Sequence, residues 1–342
     1  MADEKAAQPW QEIPDESLRE QISQLADKYA NIGQDFSDYL KGLQESQGLH
    51  YWDYVHLEAL LGLQNPRTVH PDEIIFITYH QITELYFKLI KLELDQLTDV
   101  ERENPEYKQP EMWVRRIGRA VNYFKHLCSS FDIMLSGMDL QQFKRFRMAL
   151  LPASGFQSVQ YRHIEIMSTE VKHLVDPSVR TREDDRPEHA FKNIYWKRGG
   201  KEIKDGAKTL TLKHFEEKYD DHLLNMIEEY RYRNLYYLYL KAGVTVARDE
   251  RIRELMRDYD RYVNVFWKLG HLGAAAYHLM RIGAGTGGTN WKDFLPPKFQ
   301  RIIFFPKLWS EEEREEWGKA AVVKLFQEKV ERSWYKVGEK ER

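Results

Sequence analysis

Phe76-Ile77-Thr78-Tyr79-His80-Gln81-Ile82-Thr83-Glu84-Leu85-Tyr86-Phe87-Lys88 repeats its apolar residues every three or four positions, which predicts a helix. On a 3.6-residue wheel Phe76, His80, Thr83, Phe87 and Ile90 fall on one face. His80 stands in that face where an apolar side chain is expected. A buried polar group without a partner costs about 1–3 kcal/mol. The imidazole therefore either bonds a neighbouring carbonyl or carboxylate inside the core or faces a ligand, and spacing leaves both open.

The same periodicity extends outward. It predicts helices over 15–46, 51–63, 71–99, 111–135, 139–150, 158–174, 211–242, 248–281 and 310–333. Asn65-Pro66, Asn104-Pro105, Leu151-Pro152, Gly199-Gly200, Gly287-Gly288 and Pro296-Pro297 punctuate them. His70-Pro71-Asp72-Glu73 opens one helix with acidic groups in the first turn, where the helix dipole favours them. Strand signals are scarce. Residues 176–210 read as an exposed insertion with a short hairpin around Lys201–Lys208, and residues 1–12 and 336–342 as frayed tails. The expected architecture is all-α, one large helical domain over 1–342, without internal repeats.

Fifty-one Lys and Arg nearly balance 54 Asp and Glu, a formal net charge of −3, so no strong field draws the chain to nucleic acid or an anionic membrane. Arg251, Arg253 and Arg257 alternate with Glu254 and Asp258, as on a solvated helix face. Cys128 is the only cysteine, which excludes intramolecular disulfides, thiolate zinc sites and covalent Cys-x-x-Cys-His haem attachment. The first residues lack a signal-peptide pattern and no apolar run reaches 18 residues, so a cytoplasmic protein is expected.

Two further stretches carry candidate chemistry. In Trp267-Lys268-Leu269-Gly270-His271-Leu272-Gly273-Ala274-Ala275-Ala276, Asn264, Trp267, His271, Ala274, Ala275 and His278 share a helical face, and the side chains around His271 become very small. Each interior glycine costs roughly 1 kcal/mol against alanine, so Gly270 and Gly273 imply close approach by something bulky. Either a tightly packed helix or a flat ligand such as a porphyrin with an axial imidazole would serve. Arg281-Ile282-Gly283-Ala284-Gly285-Thr286-Gly287-Gly288-Thr289 lacks the Lys-Ser/Thr of a phosphate loop; it reads as a loop closing over a ligand or as a plain connector. Glu165, Glu170 and His163 share a helix and read as a solvated polar face rather than a metal site. No His-Glu-x-x-His, Gly-x-Ser-x-Gly or Rossmann glycine pattern is present.

Taken with Phe146-Arg147-Met148-Ala149-Leu150-Leu151-Pro152-Ala153-Ser154-Gly155-Phe156-Gln157-Ser158-Val159-Gln160-Tyr161-Arg162, these stretches resemble the tryptophan 2,3-dioxygenase family. The family's Phe-x-x-x-His-Gln-x-x-Glu-Leu run appears as Phe76 through Leu85. Its Ser-Gly-Phe-Gln-Ser-x-Gln-Tyr-Arg block is nearly intact, and its histidine followed by Gly-Thr-Gly-Gly matches His271 and Gly285–Gly288. The similarity runs from about Tyr51 to Leu308.

The resemblance implies one b-type haem per subunit, with His271 as the proximal iron ligand, His80 on the distal side and Ser154 near the distal haem edge. It implies O2 as co-substrate and L-tryptophan as substrate: Phe76 packing on the indole, His80 bonding its nitrogen, Arg147 clamping the carboxylate, and Thr286 holding the ammonium and carboxylate. Tyr51, Tyr54 and Val55 would reach a neighbouring subunit's pocket in a homotetramer. Phe143 stands in the substrate pocket where many relatives carry Tyr, so a hydroxyl that could brace Arg147 is missing, and the spacing from His271 to Thr286 is one residue longer than in bacterial members. His278 is a rival axial ligand. A related haem monooxygenase, a haem sensor and a plain helical interaction protein are the alternatives.

Overall fold

The computed structural model describes residues 14–46, 48, 50–99, 109–202, 206–279 and 301–321. The chain forms two compact units, Met1–Leu63 and Gln64–Arg342. The first holds α1 (Glu16–Asn31), α2 (Phe36–Glu45), α3 (Tyr51–Tyr54) and α4 (Leu57–Leu61). Gly33 at φ +73° ends α1, because a left-handed residue cannot continue a right-handed helix. Asp35 then starts α2 by accepting from the Ser37 and Asp38 amides. The single helix expected over 15–46 is thus two. His56 at φ +51° divides the expected 51–63 helix in the same way.

The second unit contains α5 (Glu73–Thr98), α6 (Pro110–Ser136), α7 (Leu140–Phe146), α8 (Val159–Ser168), α9 (Pro187–Lys192), α10 (Tyr195–Gly199), α11 (Leu210–Glu229), α12 (Leu235–Lys241), α13 (Val244–Ala247), α14 (Glu250–Arg261), α15 (Lys268–Leu279) and α16 (Glu311–Glu315). A 3-10 turn, Arg147–Leu150, follows α7, and a π-helical turn, Tyr262–Trp267, joins α14 to α15. Among the described residues there are no strands, only antiparallel bridges at Val175–Ile194 and Lys201–Lys208, the second where the hairpin was expected. The all-α expectation holds. No helix of the described residues is long and apolar enough to cross a membrane.

Helix α5 packs on α6 and α8, and α6 packs on α14. Ile90, Trp113, Ile117, Phe124 and Tyr259 are completely enclosed at these contacts, each large apolar side chain contributing about 1.5–3 kcal/mol. The start of α5 is fixed by Glu73, whose fully buried carboxylate accepts from the Arg67 and Thr68 amides at 2.7 and 2.8 Å. A negative group at a helix N-terminus is favoured there.

Two expectations fail. The stretch read as an exposed insertion, 176–210, buries Ala190, Phe191, Ile194, Tyr195 and Trp196; its aromatic residues join the core although its charged ones obscure the apolar period. Glu165, read as part of a solvated face, is completely buried. It is paired with Arg162 at 3.0 Å and accepts from the Tyr195 hydroxyl.

Residues 302–309 are tied to α14 by one carboxylate. Asp260 Oδ1 accepts from the Phe304 amide at 3.0 Å and Asn264 Nδ2 at 2.8 Å. Oδ2 accepts from the Phe305 amide at 3.2 Å and Trp309 Nε1 at 3.0 Å. Burial pushes the Asp260 carboxyl up to about 6 while those four donors pull it back. Asp260→Asn turns one acceptor into a donor facing N–H groups; it is expected to lower unfolding stability by about 2–4 kcal/mol in denaturant titrations.

Candidate functional site

Helix α5 supplies Phe76 and His80 one turn apart, their ring centroids 4.1 Å from each other. His80 Nδ1 lies 2.7 Å from the Phe76 carbonyl oxygen. A carbonyl only accepts, so Nδ1 carries the proton and the neutral ring presents the Nε2 lone pair. Burial lowers the His80 pKa below the ordinary histidine value, which keeps the ring neutral. The imidazole thus bonds a core carbonyl with one nitrogen and leaves the other for a donor.

Two hydrogen bonds set α7 beside this turn. The Asp139 amide donates to Asp72 Oδ2 at 2.6 Å, and the Asp72 amide donates to Gln142 Oε1 at 3.1 Å. Asp139 also caps α7 by accepting from the Gln141 and Gln142 amides. Phe143 and Phe146 consequently stand 6.0 and 5.8 Å from Phe76 and meet edge-on at 5.5 Å. Arg147 follows at the first position of the 3-10 turn and is 4% exposed. Burial lowers its pKa.

The third side comes from α6 and α15. Phe131 lies 6.1 Å from Tyr79, 4.7 Å from Trp267 and 6.4 Å from His271. A Cβ at Gly270 would stand 2.4 Å from Phe131 Cδ2, so the bulky neighbour implied by that glycine is the Phe131 ring of a packed helix. His271 is open to solvent, yet surrounding protein pushes its pKa down to about 4, with the nearby His80 lowering it further. The two facts agree if the ring lines a recess that water enters. His80 is near enough for the two imidazoles to influence each other electrostatically.

The structure therefore brings Phe76, His80, Phe143 and Arg147 together on α5 and α7, with His271 near His80. Ser154 is held in a capping box: its hydroxyl accepts from the Phe156 amide at 3.3 Å, and its amide donates to Gln157 Oε1. Tyr51 and Tyr54 are exposed residues of α3 in the first unit, 70% and 73% accessible, and Val55 follows them. Thr286 with its glycine loop, and the side chain of His278, lie outside the described residues.

Lys268 escaped the sequence reading. It is 5% exposed, its Nζ has no hydrogen-bond partner, and it lies 4.4 Å from the Tyr195 ring centre. Burial pushes it down to about 8 against the pull of Glu165. Arg162 stacks 5.2 Å from the Trp196 ring in the same cluster. The Arg-x-x-Glu spacing of 162 and 165 inside an apolar run was the available signal. A cavity of about 300 Å³ lies elsewhere, around His173, Arg180 and Arg301, and another of about 200 Å³ around Thr169, Lys172 and Tyr230. Lys172 in the smaller one is already paired with Glu170 and Asp185 at 2.8 and 3.2 Å.

Gly270→Ala gains helix propensity of about 1 kcal/mol but drives a methyl into Phe131. We expect net destabilisation of about 1–2 kcal/mol, relieved in the Phe131→Leu background when both are measured in a double-mutant cycle.

Compared with known proteins, residues 38–267 match the family model described as tryptophan 2,3-dioxygenase. The match ends at Trp267, before His271. A tryptophan 2,3-dioxygenase of Sorangium cellulosum is 39% identical over 128 residues, 36% of this chain and 31% of that one. One from Herpetosiphon aurantiacus is 42% identical over 124 residues, 36% and 46% of the two chains. One from Bradyrhizobium diazoefficiens is 27% identical over 268 residues, covering 77% of this chain and 92% of that one. The chain spans about a third of the length of the first curated relatives it matches.

Proposed function

The chain belongs to the tryptophan 2,3-dioxygenase family, and from that premise we propose that it is a haem-dependent enzyme that adds both atoms of O2 across the indole C2–C3 bond of L-tryptophan, giving N-formyl-L-kynurenine. The observation that carries this reading is the pair of neutral imidazoles, His80 and His271, near enough to influence each other, with Phe76, Phe143 and the buried Arg147 gathered at His80.

The residues fit haem b. Haem iron asks the protein for a single axial nitrogen, which a neutral imidazole supplies. His271 offers one, opening onto the recess with small Gly273, Ala274 and Ala275 on the following turn. Among the described residues no three His, Cys, Asp or Glu side chains gather to hold a metal without such a group. His271 would hold the iron, and Ser154 would lie near the haem. When bound, the haem supplies the activation of O2.

The protein's part is to hold the amino acid against it. Phe76 would pack on the indole with Phe143 beside it, and His80 Nε2 would accept the indole N–H, since its own proton is committed to the Phe76 carbonyl. Arg147 would grip the carboxylate with its planar fork, and Thr286 with its loop would bond the ammonium and exclude water. Tyr51, Tyr54 and Val55 would complete a neighbouring subunit's pocket in a homotetramer; their exposure supports a role outside their own unit. A cytoplasmic location belongs to the same proposal and agrees with a single, half-buried thiol.

The test is turnover of L-tryptophan under 18O2 by the haem-loaded protein. Two labelled atoms in N-formylkynurenine are expected; one labelled atom in a hydroxylated indole overturns the reading in favour of a monooxygenase. His271→Ala is expected to abolish the Soret band, and full haem loading in that variant removes His271 from the iron. Arg147→Ala is expected to raise KM for tryptophan at least 30-fold, in line with about 2–5 kcal/mol for a lost charged contact; steady-state kinetics check this.

A further inference from the structure

His163 and His222 belong to neither the recess nor the core. They project from α8 and α11, two helices that pack together, and their Nε2 atoms stand 2.9 Å apart. The ring centroids are 4.9 Å apart with planes at 64°, so the rings meet nitrogen to nitrogen rather than stacking. His222 is exposed and His163 half-buried, which leaves the pair open to small ions from water.

We propose that His163 and His222 form a two-imidazole site for a divalent transition-metal ion of square-planar or octahedral preference, Ni2+ or Cu2+. The spacing admits such an ion without moving the helices. Two imidazole nitrogens about 2.05 Å from one ion are about 2.9 Å apart at a 90° angle and about 3.3 Å apart at a tetrahedral angle. The observed separation matches the first, and imidazole suits both metals. Water completes the coordination, since no third carboxylate, thiol or imidazole joins the pair among the described residues.

Without metal, the same distance is an interhelical hydrogen bond in which one ring donates its Nε2 proton to the other's lone pair. Metal entry requires that proton to leave Nε2, by release or by transfer to the ring's own Nδ1, so that both Nε2 lone pairs face the ion. The surroundings favour an uncharged His163 ring: burial, the Lys91 ammonium of α5 and His222 together push it down to about 4. Lys91 opposes an incoming cation, but burial lowers its pKa, and the carboxylates of Asp95 and Glu84 lie near enough to offset its charge.

The experiment uses tag-free haem-loaded protein, with NiCl2 as probe and MgCl2 as control. Nickel is expected to raise Tm by about 2–4 °C, magnesium to leave it unchanged, and His163→Gln and His222→Gln each to abolish the nickel shift. Glutamine keeps an interhelical hydrogen bond, so these variants separate a metal site from a merely structural pair. An absent nickel shift in the wild type, or an equal shift in either variant, overturns the proposal. Should a variant fail to fold, electron paramagnetic resonance of one equivalent of Cu2+ on the wild type decides: coupling to two imidazole nitrogens is expected, and its absence overturns the site.

Discussion

Phe131 occupies the volume that a side chain at position 270 would need, and this exclusion sets how closely α15 approaches α6. Through that contact Trp267 reaches Phe131 and Phe87, and His271 comes near His80. A larger residue at 270 would push the helix outward or turn the phenylalanine ring. Either change would reach both imidazoles, since Phe131 also touches Tyr79, the neighbour of His80. Close-packed interiors transmit such displacements instead of absorbing them.

Behind α15 lies a second constraint of another kind. Arg162, Glu165, Tyr195 and Lys268 put two cationic side chains and one carboxylate into a volume closed by Trp196 and Phe156. Burial works against the Arg162 charge, and Tyr195 and Glu165 hold its pKa above the ordinary value. Lys268 has no such partner and yields. Charged groups at this depth are costly unless paired, so the cluster fixes the relative positions of α8 and α10 by requiring Glu165 to meet both Arg162 and Tyr195.

Much of this was legible in the residues. The α5 helix followed from its period and its opening from His70-Pro71-Asp72-Glu73; α6 ends within a residue of its expected bounds. The pairing of Phe76 with His80 and the nearness of Phe143 and Arg147 came from two separate motifs that the Asp72–Asp139 hydrogen bond joins in space. Long-range joints of that sort leave no trace in a local pattern. Gly33 and His56 were missed as breaks because periodicity reads straight through a single left-handed residue. The 176–210 stretch misled because charge dominates its composition while a few aromatic residues decide its packing. Glu165 misled because acidic side chains are rarely buried unless paired, and the partner Tyr195 lies 30 positions away.

The π-helical turn at Tyr262–Trp267 gives the chain between α14 and α15 one residue more than an uninterrupted α-helix would need. One residue advances a helix by about 100°. The face of α14 that carries Asp260 and the face of α15 that carries His271 are thus out of phase by that angle, so one continuous rod can serve two masters: a structural carboxylate pinning the downstream segment and an imidazole turned to the recess. A lineage that lost a single codon there would keep both side chains and their composition, but would have to choose which of them to aim.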